Sequence, residues 1–207
     1  MTTPPSGASR RELLGRIRAA VRGGSYLVPN EAGPPSQRPA LEIVARMVRE
    51  PGADPRAVRA RIHQLAAAGR LDRVATLSAL GVLAASPLAR DPAEALRLAG
   101  QQELAALDEG GPWLSVRLAS VARHRGVVFF LLGHDLPALD WFERALAHHR
   151  TAENLGNVLA ALLRLGERAE AEAVVDGMRA ALPGPDWEAF AAHVRADDDL
   201  ARLRDRL

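Results

Sequence analysis

The chain has 207 residues, 48% hydrophobic and 25% charged, which leaves room for one or two domains. It contains no cysteine and no lysine, all 27 basic residues being arginine; this excludes disulfides, thiolate metal sites, thiol nucleophiles, Schiff-base lysines and P-loop lysines. A pI of 10.2 overstates a formal charge of only +2, because with a single tyrosine almost nothing titrates between the histidines and the arginines.

Aromatic residues make up 4% of the chain, while alanine and leucine abound, a composition that favours packed helices over sheet. In chain order, Ser9 and Glu12 form a capping box, which predicts a first helix to about Arg22 with Leu13, Leu14, Ile17 and Val21 on one side. Gly23-Gly24 ends it, and a Gly/Pro/Ser-rich stretch follows that reads as a linker to residue 38. From Pro39 the pattern becomes helix, tight turn, helix. Leu41, Val44, Ala45 and Val48 form one stripe; Asp54-Pro55 opens the next helix and Gly69 closes it. Further helices are predicted from Asp72 to Ser86, from Asp91-Pro92 to Gly110, and from Pro112-Trp113 to Leu132. Asp135 to about His149, Thr151 to Leu165, Glu167 to Leu182 and Asp186 to the last residue complete the series. No alternating β-branched run competes, so the fold class is all-α. The expected organisation is a basic amphipathic helix with its linker over 1–38 and a helical domain over 39–207.

Residues 120–152 set above residues 153–185 align without a gap at a period of 33. Gly133 falls on Gly166, Ala138 on Ala171, Phe142 on Val175, Phe129 on Leu162 and Ala145 on Met178. Each unit is a helix hairpin with a glycine at its turn and a small residue where its helices meet. One hairpin cannot bury its own apolar face, so such units stack. An antiparallel bundle also shows small–apolar periodicity, but the aligned positions at one period favour repeats.

The stretch RGVVFFLLGHDLPALDWFERAL resembles the tetratricopeptide repeat family, with Gly126, Phe129 and Gly133 in the first helix and turn and Ala138, Phe142 and Ala145 in the second helix. Residues 118–185 carry the resemblance; Ala122 and Gly156 stand where the family has a tryptophan. The resemblance implies a right-handed α-solenoid, flanked here by the N-terminal helical arm and a C-terminal capping helix. It further implies that first helices line a groove holding a partner protein or peptide, with Arg123, Val127, Phe130, Asn154, Asn157, Val158, Ala161 and Arg164 as its lining. Arg123 and Asn157 match the spacing of residues that grip a terminal carboxylate in some members, whereas Val127 replaces an expected asparagine.

Residues 1–24 carry five arginines (Arg10, Arg11, Arg16, Arg18, Arg22) against one glutamate; residues 112–207 carry twelve arginines against fourteen acids. The arm could lie on phosphates, on an anionic membrane or in an acidic groove, but no aromatic residue interleaves with its arginines, which disfavours nucleic acid as partner. No histidine has a carboxylate or second histidine at metalloprotease spacing, no GxSxG elbow occurs, and Asp197-Asp198-Asp199 reads as a helix start. Neither catalysis, metal nor cofactor is expected. Without a long apolar run the chain reads as cytoplasmic, and homo-oligomerisation stays open. The expected function is a non-catalytic adaptor, scaffold or assembly factor, with a nucleic-acid-associated regulator or a subunit of a larger bacterial complex as alternatives.

Overall fold

The computed structural model describes residues 9–22 and 34–207, the side chains of 20–22 excepted; the expected linker over 24–33 and the side chain of Arg22 lie outside the described residues. Among these residues every regular element is helical and no strand occurs. The helices are α1 (Arg10–Arg22), α2 (Arg38–Arg49, after a 3-10 turn at Pro35–Gln37), α3 (Pro55–Ala67), α4 (Arg73–Ala85) and α5 (Pro92–Glu109). They continue with α6 (Leu114–Leu131), α7 (Asp135–His148), α8 (Ala152–Arg164), α9 (Arg168–Ala181) and α10 (Gly184–Ala196), and a 3-10 segment spans Asp198–Arg206. Among the described residues no helix is long and apolar enough to cross a membrane.

The boundaries follow from capping chemistry. Ser9 and Glu12 form the reciprocal box, with Ser9 N–H donating to Glu12 Oε2 at 2.7 Å and Glu12 N–H to Ser9 Oγ at 3.3 Å. Asp54, Asp72, Asp91 and Thr151 each accept a first-turn amide of the helix they precede, at 2.7–3.1 Å. Gly133 and Gly166, at φ +77° and +78°, adopt the left-handed conformation that ends α6 and α8. In each case the glycine amide and the one after it bond back, Gly133 to Phe130 and His134 to Phe129, then Gly166 to Leu163 and Glu167 to Leu162.

The period of 33 is reproduced in the element bounds: α9 begins and ends 33 residues after the first and last residues of α7, and α8 ends 33 after α6. In the second helices equivalent side chains have equivalent burial, whereas in the first helices Phe129 is half-buried and Leu162 fully buried. Ala138 and Ala171 are both at 0% exposure, and Phe142, Val175, Ala145 and Met178 are all within the core.

One element departs from the sequence reading. The expected helix from Asp186 to the last residue is α10 plus a separate 3-10 segment, broken at Asp197. The Asp197 carboxylate accepts the Asp199 amide at 3.0 Å, a local bond that competes with helix continuation. The triplet therefore starts a new element, as its cap, but a 3-10 one.

Two compact units result, residues 31–128 and residues 1–30 together with 129–207. In the first, α2, α3, α4 and α5 pack in order around Val44, Val58, Ile62, Leu65, Leu83 and Leu98. In the second, α7 to α10 pack around Leu139, Phe142, Leu159, Leu162 and Phe190, and α1 packs on α7 and α9. The sequence reading set residues 1–38 apart from 39–207. By contacts α1 belongs with α7 and α9, because Leu13 and Ile17 are only 1% and 0% exposed there.

Candidate protein-binding surfaces

Within residues 31–128, α3, α4 and α5 leave an open cleft of about 680 Å³. Ala66, Leu71, Leu77, Leu80 and Leu104 supply an apolar floor and rim, with His63, Arg73 and Gln101 among the polar residues at its edge. Leu104 is 68% exposed and Leu107 55%; three residues apart, they share one face of α5. Beneath the cleft Asp72 is fully engaged. One oxygen caps α4 through the Ala75 amide, and the other accepts from Gln37 Nε2 and from Arg117, both at 2.7 Å. Arg117 also meets Glu109 at 2.7 Å. Asp72 thus holds the start of α4, the turn before α2 and the side of α6 in one cluster.

A second polar group crosses the same unit. Ser78 (α4) meets Ser120 (α6) at 3.4 Å, Gln102 (α5) donates to Ser120 Oγ at 3.3 Å, and His124 Nδ1 lies 3.2 Å from Gln102 Oε1. Burial, and secondarily the charge of Arg123, lowers the His124 pKa to about 3, so the ring is neutral at physiological pH. Its partner is an amide, which neither takes nor supplies a proton. The group therefore works as a tie between three helices.

The residues expected to line a groove are placed as follows. In the unit of residues 31–128, Arg123 and Val127 are half-buried on α6. In the unit of residues 129–207, Val158 and Ala161 have 0% exposure, and Asn154 is buried with its Nδ2 donating to the His149 carbonyl at 2.7 Å. Arg164 lies over the Phe130 ring at 4.0 Å, donates to the Phe130 carbonyl at 2.9 Å and pairs with Asp135 at 2.9 Å. It fastens the α6–α7 turn. Half-buried Asn157 and Phe130 are the remaining members, Phe130 tilted against Phe142 with ring centroids 6.1 Å apart.

Three of the four described arginine side chains of the basic helix are engaged. Arg10 pairs with Glu167 and donates to the Leu165 carbonyl at 3.2 Å. Arg16 pairs with Asp140 at 2.7 Å and Glu143 at 3.4 Å. Arg18 grips Glu170 with two donors, Nε at 2.7 Å and NH2, and this contact raises the guanidinium pKa further. Arg11 is exposed. Burial raises the Glu143 pKa, with Arg16 opposing the rise. These four carboxylates escaped the sequence reading, although the acidic excess over 112–207 was their signal.

No protein family, curated protein or solved structure matches this chain.

Proposed function

We propose that this is a non-catalytic protein-binding module built of tetratricopeptide-like hairpins in a right-handed solenoid, acting as an adaptor or assembly factor. The observation that carries the reading is the apolar cleft of α3–α5 with Leu104 and Leu107 exposed beside it. Two large aliphatic side chains one turn apart suit anchoring of an apolar peptide segment from another protein, and His63, Arg73 and Gln101 can orient it. The engaged arginines of α1 speak against nucleic acid, since Arg10, Arg16 and Arg18 would have to leave carboxylates before meeting phosphate.

Full-length protein and a Leu104→Asp/Leu107→Asp variant, each immobilised in cell lysate, test the reading. A protein held by the first and lost from the second supports the cleft as its seat. Equal capture by both refutes it.

A further inference from the structure

The face made by α7 and α9 is built to hold an arginine-rich amphipathic helix. Asp140, Glu143, Glu167 and Glu170 ring the place where Leu13 and Ile17 enter. Asp140 and Glu170 have side chains only 5% and 10% exposed, while the arginines that cover them stay 41% and 54% exposed. The carboxylates belong to the body of the unit; the cations arrive on a separate helix. Arg144 offers Asp140 a second partner at 2.8 Å. A bare face would leave clustered like charges beside an apolar socket, so what replaces α1 must itself be cationic and amphipathic.

The hold of α1 rests on few side chains. It inserts two aliphatic side chains four residues apart, and its ion pairs are solvent-exposed on the arginine side although the carboxylates are nearly buried. The rest of its advantage is covalent attachment, which makes its docking an intramolecular event. A helix from another protein with the same spacing of arginines and aliphatic residues competes on equal chemical terms.

We propose that the α7–α9 face is a receptor for an arginine-rich amphipathic helix of a partner protein, and that α1 occupies it in cis as an exchangeable plug. This site lies in a different unit from the α3–α5 cleft and stands whether or not that cleft binds anything.

The test uses a fluorescent peptide of residues 9–22 and the full-length chain. Two variants release α1: Leu13→Asp/Ile17→Asp removes its aliphatic anchors, and Arg16→Glu/Arg18→Glu reverses its charge without touching the core. Circular dichroism checks that both remain folded. Anisotropy is expected to show at least about tenfold tighter peptide binding to the released variants than to the wild type. Raising salt from about 0.05 to 0.5 M should weaken it about fivefold or more. Adding Glu170→Arg to a released variant should abolish it. The proposal is overturned if the peptide binds neither folded variant, or binds wild type and variants equally.

Discussion

Gly156 sits in α8 where α10 crosses it, and the substitution Gly156→Ala sets two known effects against each other. Alanine in a helix interior is favoured over glycine by about 0.5–1 kcal/mol. Against that, a Cβ at Gly156 would lie 2.4 Å from His193 Nε2, 2.8 Å from its Cδ2 and 3.5 Å from Leu200 Cδ1. Ordinary contact begins near 3.4 Å, so the imidazole must move by about 1 Å, whereas fully buried Leu200 already sits at ordinary contact. Overpacking of this kind costs about 1–3 kcal/mol. Because the clashing ring is the outer end of half-buried His193, the steric cost stays near the low end of that range, and Gly156→Ala is expected to destabilise by up to about 1 kcal/mol in urea unfolding followed by circular dichroism. The matched control is Gly81→Ala in α4, where the added Cβ would meet His124 Nδ1 at 3.7 Å and Leu98 Cβ at 3.9 Å, an ordinary contact. There the propensity gain stands alone, and stabilisation by about 0.5–1 kcal/mol is expected. The cause is isolated by His193→Ala, which should remove most of the penalty of Gly156→Ala in a double-mutant cycle. A Gly156→Ala protein at least as stable as wild type with His193 in place would refute the reasoning.

The depressed pKa of His124 implies acid sensitivity. Because its folded value of about 3 lies below the usual 6.5, the unfolded chain takes up the proton first, and stability present above about pH 6.5 is lost as pH falls toward 3. The loss should reach about 2 kcal/mol by pH 5, and urea midpoints of His124→Gln should show a flatter pH profile over that interval. Asp72→Ala removes the α4 cap, takes the carboxylate from Gln37 and leaves Arg117 with Glu109 alone, and a loss of about 2 kcal/mol is expected in thermal or urea unfolding. Leu104→Ser, at a side chain 68% exposed, should change stability by less than about 0.5 kcal/mol, whereas Ile17→Ala at 0% exposure should cost about 2–4 kcal/mol in the same assay. An Ile17→Ala protein as stable as wild type would mean that α1 contributes no packing.

The helices were legible because their ends are written in local chemistry. Asp54-Pro55, Asp91-Pro92 and the Ser9–Glu12 box act within four residues of themselves, and the structure shows each doing so. The 33-residue register was legible for the same reason, since Gly133 and Gly166 close identical turns. At Asp197 the start was legible but not its kind, because three consecutive aspartates suit a helix start equally well whether the element that follows is α or 3-10.

The surfaces were harder, for a reason that Asn154, Val158, Ala161 and Arg164 make plain. Their spacing places them along one side of α8, and spacing can do no more than that. Which way the side faces depends on what packs there. Val158 and Ala161 meet the core, Asn154 turns back to the His149 carbonyl, and Arg164 reaches Phe130 and Asp135 across the turn. The N-terminal helix shows the same limit in charge. Five arginines against one glutamate read as an outward field as long as the chain is taken segment by segment. The partners of Arg10, Arg16 and Arg18, namely Asp140, Glu143, Glu167 and Glu170, stand more than a hundred residues away, and only folding turns that part of the excess into ion pairs. A local pattern fixes what a helix can offer, and its neighbours decide which part of the offer stays open to a partner. In α1 the open part is Arg11 and the exposed side of Arg10, Arg16 and Arg18, already paired; in α5 it is Leu104 and Leu107, which no expectation from periodicity had marked.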